Sequence, residues 1–171
     1  MFHKEIIYTV DSMKINYKFI SLAALLLLLG FGAGYFLSGE PVDIYQNPDL
    51  NLAIDPECAL NEAACDRQIS AGGSVEFSIG PKPILGASPL MFELSTQNLD
   101  VQSVVIDLEG VSMNMGRYRF ELEPDGKGRF IAAGNLPVCV RNQMAWQADV
   151  WLDTRTKGLI KVPYLFTAYK Y

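Results

Sequence analysis

Between Ser74 and Phe166 apolar and polar residues alternate in short runs, broken by glycine, proline and aspartate. Val75, Phe77 and Ile79 alternate with Ser74, Glu76 and Ser78, as in a strand with one buried face. Pro81, Pro83, Gly86 and Pro89 interrupt the chain before a second run, Leu90, Phe92 and Leu94; Val104, Ile106 and Leu108 make a third. At Glu109–Gly110 the apolar phase slips by one, to Val111, Met113 and Met115, and a glycine at a phase slip predicts a bulge or bend. Tyr118, Phe120 and Leu122 predict the next strand, and Pro124-Asp125-Gly126-Lys127-Gly128 a hairpin turn leading into 129–133. Met144, Trp146, Ala148, Val150 and Leu152 predict a long strand. Ile160, Val162, Tyr164 and Phe166 predict the last, which Pro163 marks as an edge. Seven or eight such strands without an amphipathic helix predict an all-β fold, an immunoglobulin-like antiparallel β-sandwich over residues 72–171.

The N-terminal part is patterned differently. Phe19–Leu37 holds no charged residue, and at ~1.5 Å per residue its helix would be about 28 Å long, close to the hydrocarbon thickness of a bilayer. Tyr17, Phe19, Tyr35 and Phe36 suit the two interfaces. One transmembrane helix is therefore expected over 19–37, after a polar lead at 1–18. Lys4, Lys14 and Lys18 precede it, and no Lys or Arg follows until Arg67. That asymmetry predicts a single-pass inner-membrane protein with a cytoplasmic N-terminus and a periplasmic C-terminal domain. A cleaved signal peptide is the rival, but its apolar core is usually shorter and ends in a small-residue site. Gly30 and Gly34 form a small-xxx-small pair, fitted to helix–helix contact, although glycine is also simply common in membrane helices. Residues 38–71, polar and punctuated by proline, read as a stalk, with a short helical turn within 57–69.

Charge and missing residue types narrow the function. Eleven basic and seventeen acidic residues follow the span, so the external part is acidic and nucleic-acid binding is excluded. The one histidine, His3, lies in the lead. The external domain thus has no imidazole for a Ser-His-Asp or Cys-His site or for zinc, and an enzyme is not expected. All three cysteines lie after the span. Three pairings exist; Cys58–Cys65, the local one, is expected, which leaves Cys139 as the spare thiol.

What remains is sulfur. Met113 and Met115 share one side of a strand segment, and Cys139 and Met144 follow. Thioether and thiolate are soft ligands that select Cu(I). Methionine at period two is also ordinary core filler, and a buried cysteine is ordinary too. Both readings stand at this point, beside a third in which Cys139 is a redox thiol. Trp146 fits the core, whereas Trp151 falls on the opposite face, for a partner contact or for packing against the stalk.

The segments PLMFELSTQN, VVIDLEGVSMNMGRYRFELEPDGKGRFIAAGNLP and MAWQADVWLDT resemble the YtkA-like/FixH-like group of small membrane-anchored extracytoplasmic domains, over residues 72 to 167. ECALNEAAC, GVSMNMG and LPVCVRNQMAW are similar to a proteobacterial branch with the same three cysteines. The resemblance implies an immunoglobulin-like sandwich among proteins linked to copper handling and haem-copper oxidase assembly. Its methionine-rich segment maps onto Met113 and Met115. The implied partner is a membrane complex, a haem-copper oxidase or its assembly factors. A metal-free accessory or scaffold subunit is the alternative.

Overall fold

The computed structural model describes residues 20–22, 25–28, 43, 45–70, 72–137 and 141–170. The chain divides into two compact units, Met1–Asp43 and Ile44–Tyr171. In the first, residues 20–22 and 25–28 are helical. Among the described residues no helix is long and apolar enough to cross a membrane. Most of the expected span, with Gly30 and Gly34, lies outside the described residues.

The second unit is built of β-strands: β1 (Leu50–Asn51), β2 (Cys65–Gln68), β3 (Ser74–Gly80), β4 (Leu90–Gln97), β5 (Val101–Gly110), β6 (Arg117–Pro124), β7 (Arg129–Gly134), β8 (Gln143–Thr154) and β9 (Gly158–Tyr169). They form one curled sheet in the order β1-β9-β8-β5-β6-β7-β4-β3-β2, antiparallel except where β1 runs parallel to β9. The sheet turns at β6, which pairs with β5 from Arg117 to Leu122 and with β7 only through Glu123 and Pro124. Curling brings distant strands together: Phe77 on β3 and Tyr164 on β9 lie 5.1 Å apart, ring to ring.

The alternations read from the sequence are the inward faces. Val75, Phe77 and Ile79, then Leu90, Phe92 and Leu94, then Val104, Ile106 and Leu108 are all buried, as are Met144 to Leu152 and Ile160 to Phe166 at every second position. The expected hairpin joins β6 to β7, with Asp125 N donating to Arg129 O (2.9 Å) and both Gly126 and Gly128 at positive φ. That conformation is open to glycine at little cost.

Three expectations are corrected. Residues 45–70, read as part of a stalk, belong to the compact unit. β1 and Asp49 lie along β9, and β2 pairs with β3. The expected disulfide Cys58–Cys65 is formed and closes a turn in which Ala63 N donates to Ala59 O (3.1 Å) and Leu60 is buried. Secondly, the phase slip at Glu109–Gly110 is where β5 ends. The next residues form a loop, and the irregularity in β5 lies instead between Val101 and Ser103. Thirdly, Trp151 lies on the outward side of its strand yet is only 4% exposed, beneath Tyr45 at 5.9 Å between ring centroids. The packing alternative is the one observed, and Trp151 presents no docking surface.

Candidate functional site

β5 ends at Gly110 opposite Trp146, and Val111 N donates to Ala145 O (3.0 Å). These bonds fold the 111–116 loop back beside the start of β8. Inside the loop Asn114 Oδ1 accepts from Gly116 N (2.9 Å), and Gly116 has φ +82°, so the chain can turn into β6. Asparagine favours such turns because its side chain substitutes for a backbone acceptor.

The glycine at 110 has a steric reason. A Cβ built there would run into Met144 Cε, would sit 2.5 Å from Met113 O, and would lie 3.6 Å from Met115 Cγ. Met144 and Met115 therefore converge on one face of Gly110, and Met113 reaches the same point through its main chain. Met144 is buried in the core, while Met113 and Met115 are half-buried against it. Of the candidate ligands, the side chains of Met115 and Met144 thus come from two chain segments to one place, whereas Met113 is there by its main-chain oxygen.

Cys139, the fourth candidate, lies outside the described residues. Its neighbours Pro137 and Arg141 line the same small crevice as Met144. On the solvent side of the loop a cleft of about 450 Å³ is lined by Glu109, Val111, Ser112, Met113, Asn114 and Arg117. Arg117 Nε donates to Glu109 Oε1 (2.5 Å), and this hydrogen bond, more than any other influence, raises the Arg117 pKa above its ordinary value. Among the described residues no three of His, Cys, Asp and Glu form a group that could hold a metal ion. The two side chains that meet at Gly110, Met115 and Met144, carry thioethers, a donor type that suits a soft monovalent ion and disfavours zinc or calcium.

The outer face of β5 and β8 is sealed rather than open. Asp107, 2% exposed, accepts from Arg119 Nε (2.7 Å) and Nη2 (2.8 Å). Tyr45 lies against this pair, with the Arg119 guanidinium 5.1 Å from its ring centroid, while Lys161 Nζ lies 5.2 Å from the Trp151 ring centroid and 2.7 Å from Asp149. Sequence reasoning missed Tyr45 as the cover, because a single aromatic in a polar stretch carries no period. It also missed Gly110 as the point of convergence, although the phase slip had marked the residue.

No family model matches the chain, and no curated protein matches it. Among solved structures, that of an engineered protein is similar, with a TM-score of 0.43 and 18% identity, over 58% of this chain and 21% of that one. The match spans about a fifth of that protein's length.

Proposed function

We propose that the chain is a membrane-tethered periplasmic protein that binds Cu(I) through Met115 and Met144, with Met113 and Cys139 completing the set, and that it assists metallation of a respiratory oxidase. In this reading the curled sheet is an immunoglobulin-like sandwich, and residues 19–37 are its anchor. Tethering raises the domain's effective concentration at a membrane-embedded client. The carrying observation is the convergence of Met115 Cγ and Met144 Cε on the face of Gly110. Copper supplies no step beyond its own binding and release; the side chains hold a soft cation.

The test is anaerobic competition between the full chain, in detergent, and a Cu(I) chelator. Met115→Leu/Met144→Leu keeps side-chain volume nearly constant, and such swaps usually cost less than about 1.5 kcal/mol. The variant is expected to stay folded and to lose about tenfold or more in Cu(I) affinity, since two of its soft ligands are gone. Equal competition by both proteins rejects the copper site.

A second reading, a metal-free accessory subunit, is favoured by one observation: Met144 belongs to the buried core. It predicts co-purification with a membrane complex that survives Cys139→Ser and is lost in Gly30→Leu/Gly34→Leu.

A further inference from the structure

The turn before β2 is tied to the rest of the domain at several points. Cys58 and Cys65, seven positions apart, are bridged. Between them Leu60 is buried, and Asn61 bonds both main-chain groups of Thr167 on β9. The two cysteines are not equally accessible. Cys65, on β2, is 6% exposed, whereas Cys58 is half-buried, and both line an open cleft of about 290 Å³. A thiolate arriving from solvent therefore reaches Cys58 first.

That cleft is acidic. Asp55, Glu57, Glu62 and Asp66 share its lining with the two cysteines, and neither Arg67 nor Lys82 does. Arg67 pairs with Asp55 at 3.6 Å, but its outer nitrogens donate to Ala53 O (2.7 Å) and Pro163 O (3.5 Å). Lys82 Nζ is turned to the carbonyls of Leu60 and Ala63. Disulfide exchange brings one thiolate to a sulfur and expels another from its partner. Here both negative charges would stand among carboxylates, and like charges disfavour them. A positive group carried beside the attacking sulfur offsets that repulsion, and a second negative group adds to it.

We infer that the Cys58–Cys65 bridge is a thiol-exchange site gated by charge, open to reductants that carry a cation beside the thiol and closed to anionic thiols, and that its reduction loosens the turn guarding the β9 edge. In the first step a thiolate bonds to Cys58 Sγ, the Cys58–Cys65 bond breaks, and Cys65 leaves as a thiolate that takes a proton from water. A second thiol then displaces Cys58 and departs as the oxidised disulfide of the reductant. Two electrons and two protons have passed to the protein. The site is separate from the methionine cluster and needs no metal.

The experiment uses the full chain in a non-ionic detergent, free of metal and oxygen. The probes are cysteamine, 2-mercaptoethanol and 2-mercaptoethanesulfonate, each in excess, whose second groups are an ammonium, a hydroxyl and a sulfonate. Rates per thiolate are read from alkylated Cys58 and Cys65 peptides and divided by the rates on a small uncharged disulfide. At an ionic strength of about 0.01 M the cationic thiol leads the anionic one by about tenfold or more. Salt at about 1 M, which shortens the screening length to about 3 Å, closes most of that gap, and so does Glu57→Gln/Glu62→Gln. After reduction the Thr167 amide exchanges faster while the β5–β8 amides keep their protection, and reoxidation restores the first state. Equal normalised rates for the three thiols, a gap that salt and the variant leave unchanged, or Thr167 exchange that reduction does not alter each overturns the proposal. Loss of the whole sheet on reduction overturns it as well.

Discussion

Asn61 and Thr167 exchange two hydrogen bonds across 106 residues of sequence: Asn61 Nδ2 donates to Thr167 O (2.6 Å), and Thr167 N donates to Asn61 Oδ1 (2.7 Å). A side-chain amide here does what a neighbouring strand would do. It satisfies both main-chain groups of one β9 residue beyond the reach of β1, where Arg67 Nη1 also donates to Pro163 O (3.5 Å). An unsatisfied strand edge invites pairing with another chain, so the turn holding Asn61 guards β9.

Asn61→Ala removes both bonds and leaves a half-buried N–H and C=O to find water. Leaving a buried polar group unmatched costs about 1–3 kcal/mol, and a loss of that size is expected in denaturant unfolding of the full chain. Hydrogen exchange at the Thr167 amide rises in the same variant. An unchanged unfolding midpoint and unchanged exchange at Thr167 contradict the guard.

The Cys58–Cys65 bridge closes the turn that carries Asn61. By the chain-entropy relation a loop this short contributes about 2.5 kcal/mol. Cys58→Ser/Cys65→Ser therefore lowers the unfolding free energy by about that amount and loosens Thr167 before it loosens the β5–β8 pairs. Hydrogen exchange resolved by residue checks the order. Uniform loosening across the sheet counts against a local role.

Asp125 anchors the β6–β7 turn. Its Oδ1 accepts from Lys127 N (2.8 Å) and Arg129 N (3.2 Å), and its Oδ2 from Arg129 Nε (2.9 Å). These bonds, the one from Lys127 first, hold its carboxyl below the ordinary aspartate value. A group whose pKa is lower folded than unfolded stabilises fully above the unfolded value and loses that contribution as pH falls through the folded one. Hairpin amide protection in the wild type is thus expected to fall only below about pH 4. Asp125→Asn removes that acid-dependent fall. The same pH profile in both proteins rejects the assignment.

Much of the fold was legible because one buried face imposes period two on a strand. Val75, Phe77 and Ile79, like Met144 to Leu152, declare their inward side without help from anything distant. Residues 45–70 gave no such signal. Apart from the short β2–β3 pairing at Cys65–Gln68, they hold to the sheet by main-chain bonds from Asp49 and Leu52, by one amide on Asn61, and by single insertions of Leu60 and Tyr45, none of which makes a period. Pro163 was read as the mark of an edge strand, but β9 lies between β1 and β8; only beyond the β1 pairs at Ile160 and Lys161 is the Pro163 side of β9 without a strand partner among the described residues. At Gly110 the slip in phase was visible, but the choice between a bulge and a strand end depends on Met144, 34 positions further along. Local sequence cannot supply that contact. For Trp151 the face was right and packing against residues 38–71 was one of the two alternatives, but local sequence could not name Tyr45, because the covering ring lies 106 positions away.

The central claim is that sulfur alone meets a soft ion beside Gly110. X-ray absorption at the copper edge, on the full chain loaded anaerobically with one equivalent of Cu(I), tests it most directly. The account predicts a first shell of sulfur only, which is lost or rebuilt in Met115→Leu/Met144→Leu. A first shell of nitrogen or oxygen, or a sulfur shell unchanged in that variant, contradicts it.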